Sequence, residues 1–143
     1  MQDLIYKSVD QEAIWYFAIG SMTNPVSLET RNLFPSVSIP GEALDYKLYF
    51  YGSQGMAEAL PEKGESFHGV LHKMTPENMV ILDKLEAELT RVNVNVKLYD
   101  GSIVIGTIYS RPNVKDRNSE IDKPPTERYL DIISQGCSYY GVA

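Results

Sequence analysis

A chain of 143 residues that is 43% hydrophobic and 22% charged has the size and composition of one soluble domain with its own core, spanning residues 1–143. Its net charge of −6 argues against a nucleic-acid backbone as the main partner, which calls for a basic surface, but leaves room for small anions held by local amides. Cys137 is the single cysteine, so no internal disulfide forms and a reducing compartment suits the chain. The opening stretch MQDLIYKSVD lacks a signal-like apolar block, and the longest apolar run, residues 13–19, is too short to cross a bilayer. A cytoplasmic protein without membrane contact is expected.

The first element is AIWYFAI (13–19), short and rich in aromatic and branched residues, which reads as a buried strand. It stops in Gly20-Ser21. NPVSLETRNLF (24–34) then reads as a short helix with Asn24 as N-cap and Pro25 in the first position. ALDYKLYFY (43–51) and SFHGVLHKM (66–74) read as strands. TPENMVILDKLEAEL (75–89) is the clearest helix: Thr75 caps it, Pro76 fits the first turn, and Glu77 suits the positive end of the dipole. Residues 91–110 read as a hairpin, with Val92, Val94 and Val96 on one face and Asp100-Gly101 in the turn. The polar stretch RPNVKDRNSEIDKPP (111–125) reads as a surface loop, solvated or closing over a pocket. TERYLDIISQG (126–136) closes as a helix, with Thr126 as cap and Gly136 as stop. This order is not a regular strand–helix alternation. It predicts an α+β fold with a curved, mixed or largely antiparallel sheet flanked by helices.

Two features suggest chemistry. On a wheel of the 75–89 helix, Met79, Leu82, Leu85 and Leu89 form an apolar stripe, and Glu86 falls within it while Glu88 falls outside. A carboxylate on a core-facing stripe is costly unless paired, protonated or used. Burial and the negative end of the helix dipole both raise its pKa toward a range useful for proton transfer. The alternatives are a glutamate that bends out to water or one that pairs with Arg91. The second feature is the Gly20-Ser21 corner. Glycine permits close approach to the chain, and amides at a helix start favour anions or developing negative charge. A plain capped corner, with Ser21 or Asn24 as the cap, fits the same residues.

Other chemistry finds less support. His68 and His72 are four apart, but Gly69 and the branched residues around them indicate a strand, where that spacing is roughly 13 Å, too wide for one metal. No metal is expected. Ser21 has no G-x-S-x-G elbow around it, and Cys137 has no histidine nearby in sequence. The ten tyrosines, without a basic patch, read as core and pocket lining.

Taken together, YFAIGSMTNP, ALDYKLYF, GVLHKMTPENMVILDKLEA and PPTERYLDIISQG resemble, in order, the motifs of the gamma-glutamylcyclotransferase (AIG2-like) family. The resemblance runs from Tyr16 to Val142. It implies that family's fold, a curved and small barrel-like sheet flanked by helices, and a small-molecule γ-glutamyl substrate. The implied activity is attack of the substrate's own α-amine on its γ-carbonyl, giving 5-oxoproline and a free amino acid or amine. It also implies Glu86 as the catalytic acid–base and Tyr16, Phe17, Ala18, Ile19, Gly20, Ser21 and Tyr129 as substrate-binding residues. No cofactor is implied, because the nucleophile is part of the substrate. A homodimer is compatible with the resemblance. Ile19 stands where the family usually has Tyr, Met22 where it usually has Asn, and Ala87 where it usually has Gly. A tyrosine commonly found beyond the glutamate is missing from LTRVNVNV. Two functions therefore stand side by side: a cyclising enzyme, or a binding module that keeps the pocket without turnover.

Overall fold

The computed structural model describes residues 13–51, 56–110 and 125–142. Five strands form a closed barrel: β1 (Ile14–Ala18), β2 (Ser38–Tyr51), β3 (Met56–Met74), β4 (Thr90–Leu98) and β5 (Ile103–Ser110), in the order β1-β3-β2-β4-β5. Consecutive strands in this order pair antiparallel, while β1 with β5, through Tyr16 and Thr107, and β3 with β5, through Ala59 and Ser110, pair in parallel and close the barrel. Among the described residues, three helices lie against it: α1 (Pro25–Thr30), α2 (Pro76–Leu85) and α3 (Glu127–Tyr140). The expected α+β class with a curved, barrel-like sheet is the one observed.

Strand alternation divides the apolar side chains between two cores. Phe17, Ala43, Leu71, Val94, Val96 and Ile108 fill the barrel interior. Tyr16, Ala18, Met74 and Tyr109 point the other way and pack with Met22, Leu28, Met79 and Leu82 from the helical side. Val94 and Val96 are buried on one face and Val92 packs against the same cluster, as the alternation in β4 requires. The Asp100-Gly101 turn forms with Gly101 at φ 93°, and the Asp100 carboxylate accepts from both the N–H and the hydroxyl of Ser102.

The helix starts follow the sequence reading. Asn24 caps α1 by accepting from the Val26 N–H. Thr75 and Asn78 form a reciprocal capping box at α2, and Thr126 caps α3 by accepting from the Tyr129 N–H. Five boundaries differ markedly from it. β2 begins at Ser38 and β3 at Met56, well before the expected 43 and 66. Their hairpin absorbs the polar stretch around Lys63 by a bulge: Asp45, left-handed at φ 62°, accepts from the Gly64 N–H, and the register jumps between Leu44 and Tyr46. The first helix is shorter than 24–34, since Arg31 and Asn32 form its closing turn. The 75–89 helix stops at Leu85, with Glu86 as its C-cap. The last helix runs through Gly136 to Tyr140 and stops at Gly141, which takes the left-handed φ of 77°. Gly136 is instead a contact point: a Cβ there would collide with the backbone carbonyl of Thr23. The expected 111–125 loop lies outside the described residues up to position 124. No helix among the described residues is long and apolar enough to cross a membrane.

Candidate active site

β1 delivers its chain end to the rim of the barrel, where Ile19 and Gly20 lead into a short 3-10 turn, Ser21–Thr23. The turn is tied by the Thr23 N–H and hydroxyl, which both donate to the Gly20 carbonyl at 3.0 and 2.7 Å. The Asn24 N–H donates to the Ser21 carbonyl at 3.0 Å, and the Asn24 amide donates across to the Ile132 carbonyl on α3. The N–H groups of Ser21 and Met22 precede the first bond of the turn, so the turn itself gives them no acceptor.

Gly20 has a structural reason to be glycine. A Cβ there would sit 2.5 Å from the Tyr129 hydroxyl oxygen. That oxygen accepts from the Ala57 N–H at 3.0 Å, which leaves the phenolic hydrogen to donate elsewhere. Burial, and then the charge of Glu86, raise the Tyr129 pKa, while the Ala57 bond lowers it.

Glu86 closes α2. Its N–H donates to the Leu82 carbonyl at 2.8 Å, and its own carbonyl accepts from the Leu89 N–H. The side chain is half-buried. Burial raises its pKa from the usual glutamate value, and the positive charge of Arg31 only offsets this. Tyr16 feels the same carboxylate: desolvation and then Glu86 hold its hydroxyl well above the usual phenol range. Arg91 does not pair with Glu86. Its guanidinium grips Asp83, one turn earlier, with bonds of 2.8 and 2.6 Å.

These parts meet in one cavity of about 320 Å³. It is lined by Tyr16, Phe17, Ile19, Gly20, Ser21 and Met22 from the β1 end, Met56 and Ala57 from β3, residues 85–89 from the end of α2, Ile108 and Tyr109 from β5, and Tyr129 from α3. The structure thus brings together Glu86, Tyr16, Phe17, Ile19, Gly20, Ser21 and Tyr129. Ala18 is the exception: it is fully buried among the residues between barrel and helices, and it does not line the cavity.

Tyr109 is the main wall residue that sequence reasoning passed over. It stands opposite Arg91 in the β4–β5 register, packs edge-on to Tyr16 at 6.0 Å, and donates its hydroxyl to Asp83 at 2.6 Å. Burial and this bond push its pKa well above the phenol range, so it is a fixed neutral wall. Its alternation with buried Ile108 was a readable signal for a strand, not for a pocket. His72, fully buried on β3, joins Ser38 to the corner: its Nδ1 lies 2.7 Å from the Ser38 hydroxyl and its Nε2 2.9 Å from the Met22 carbonyl. Desolvation pushes its pKa down to about 4. His68 is exposed and meets the Tyr99 hydroxyl instead.

The family model for gamma-glutamyl cyclotransferase, AIG2-like, matches residues 17–131, which span the corner, Glu86 and Tyr129. The chain belongs to this family. Human gamma-glutamylcyclotransferase is 26% identical over 93% of this chain and 74% of its own length. The bovine protein of the same name is 27% identical over 95% of this chain and 76% of its own. A solved structure titled gamma-glutamyl cyclotransferase superposes with a TM-score of 0.74 at 24% identity, covering 91% of this chain and 81% of that one. As a member of the gamma-glutamyl cyclotransferase family, the chain shares that barrel.

Proposed function

We propose that this chain is a cyclotransferase that converts a γ-glutamyl amino acid or γ-glutamyl amine to 5-oxoproline and the free amino acid or amine. The observation that carries this reading is the shared cavity of Glu86, a carboxylate held above its usual pKa by burial, and the Gly20-Ser21 corner. Glu86 takes a proton from the substrate's α-ammonium. The freed amine attacks the γ-carbonyl carbon and forms the new ring C–N bond. The ring nitrogen, which still carries two hydrogens after the attack, loses one to water, and Glu86 gives its proton to the leaving nitrogen as the old C–N bond breaks, so one group serves as base and acid. The carbonyl oxygen gains negative charge in between and is met by the amides of Ser21 and Met22. Tyr129, with its hydroxyl hydrogen uncommitted to Ala57, orients the substrate by donating to it. Tyr16, Phe17 and Ile19 shape the rest of the binding wall; Ala18 sets the strand from behind it. The reaction calls for no cofactor, because holding amine and carbonyl in one molecule supplies much of the rate. We place this activity in the cytoplasm, on a free small molecule, without a membrane or nucleic-acid partner.

A second reading rests on Ile19 and Met22, apolar residues that line the cavity. A pocket so altered also suits a module that binds γ-glutamyl compounds without turnover. Incubation with a panel of γ-glutamyl amino acids and amines, with 5-oxoproline measured by mass spectrometry, separates the two. Release of 5-oxoproline supports the enzyme. Saturable binding without release replaces it with the binding module.

A further inference from the structure

His72 takes no part in the proton transfer just described, yet both its ring nitrogens are engaged. A carbonyl oxygen only accepts, so the contact of Nε2 with the Met22 carbonyl at 2.9 Å requires the hydrogen on Nε2. The neutral ring then presents Nδ1 as an acceptor, and the Ser38 hydroxyl donates to it at 2.7 Å. Tyr140 packs edge-on to the ring at 5.4 Å, and Tyr16 lies tilted against it at 6.2 Å. Three elements therefore fix one imidazole in one tautomer and one plane: β3 carries it, Ser38 opens β2, and Tyr140 ends α3.

The carbonyl it grips belongs to the residue in the middle of the 3-10 turn. The N–H groups of that same residue and of Ser21 are the donors assigned above to the developing oxyanion. We infer that His72 is a positioning residue: from the side of the turn away from the substrate, its Nε2–H holds the Met22 carbonyl, fixing the Met22–Thr23 peptide and through it the 3-10 turn that presents the Ser21 and Met22 amides. This role rests on the cyclotransferase reading of the same corner. A corner aimed by one buried hydrogen bond is loosened when that bond is removed, even where the ring's volume is kept. A turn held only by Thr23 and Asn24 is not affected in this way.

The test compares His72→Phe, which keeps an aromatic ring and removes both hydrogen bonds, with His72→Gln, which restores an N–H at the reach of Nε2. For His72→Phe, kcat is expected to fall at least about tenfold while KM moves less than about threefold, because misaimed donors cost most in the transition state. His72→Gln is expected to recover kcat to within about threefold of wild type, since the restored bond re-aims the same amides. Wild-type kcat in the Phe variant, or equal loss in the Phe and Gln variants, overturns the inference. Nitrogen-15 NMR of the wild-type imidazole gives a readout that needs neither turnover nor a variant. Neutral His72 protonated on Nε2 at pH 7 is required, and a ring protonated on Nδ1 overturns the inference even if the Phe variant fails to fold. If the wild type releases no 5-oxoproline, the tautomer and the Ser21 and Met22 amide shifts still decide it. Those shifts must move in the Phe variant and return in the Gln variant, and unmoved shifts overturn it.

Discussion

Asp83 and Glu86 sit one turn apart on the same helix end, both carboxylates, and the fold treats them in opposite ways. Asp83 faces outward, receives two bonds from Arg91 and one from Tyr109, and is held below the usual aspartate range, with Arg91 the largest cause. Glu86 turns inward to a cavity, is half-buried, and is raised by desolvation. Three residues of sequence thus separate a structural ion pair from a candidate acid–base. The chemistry of a carboxylate here is decided by what surrounds it, and Asp83 serves the site only by anchoring the Tyr109 wall.

The comparison breaks first at Glu86. Glu86→Gln is expected to lower turnover of the best γ-glutamyl substrate by about 10²–10⁴, the usual worth of positioned acid–base catalysis, with binding changed far less. Its thermal stability should hold or rise at neutral pH, because the raised pKa means that the charged form is the costly one in the folded state. Steady-state kinetics and calorimetry on one preparation check both halves. A variant that keeps half the rate removes Glu86 from the mechanism.

A smaller rate effect is expected at the corner. Gly20→Ala places a methyl on the Tyr129 hydroxyl, so the ring must retreat and its bond to Ala57 must lengthen. We expect kcat/KM to fall about tenfold or more, as displaced binding groups cost rate steeply. Gly136→Ala sharpens the contrast from the other side of the same corner. Its methyl meets the Thr23 and Asn24 backbone, which cannot swing aside, so α3 must shift. The expected loss is about 1–3 kcal/mol of stability, measured by denaturant unfolding. Unchanged midpoints would show that α3 is free to slide.

Least of all should follow from Asp83→Asn. The Asp83–Arg91 pair is largely solvent-exposed, at 42% and 39% of each side chain, so about 1 kcal/mol or less is expected after screening. The sign with pH is opposite to that of Glu86. Asp83's folded pKa is depressed, so its contribution is present above the ordinary aspartate pKa and is lost as pH falls through the folded one. Glu86's charged form costs stability as pH rises through its raised pKa, so acidification relieves it.

Much of this was legible in the chain because local chemistry and tertiary structure agree at those points. Asn24, Thr75 and Thr126 cap where their side chains and the following residues require, and Asp100-Gly101 turns where no other pair nearby does. Glu86 was legible because an acid in an apolar stripe conflicts with its setting, although the helix ends at Leu85 and Glu86 meets the cavity as a cap. The long β2–β3 hairpin was hidden because Pro61 and the charged residues after it break the apolar alternation that marks a strand; Asp45 and Gly64 absorb them as a bulge. Gly136 looked like a helix stop because contact with Thr23, 113 positions away, leaves no local trace. Tyr109 and His72 were missed for the same reason, since their partners Asp83, Met22 and Ser38 come from other elements.

The central claim is that Glu86 moves the proton during cyclisation, and it is tested most directly by titrating its carboxyl by carbon-13 NMR beside the pH profile of 5-oxoproline release. The account predicts that Glu86 titrates above the ordinary glutamate value of 4.5, that kcat/KM rises with pH through that same titration, and that this limb vanishes in Glu86→Gln. A Glu86 that titrates with the exposed glutamates, or an acid limb that survives in Glu86→Gln, contradicts it.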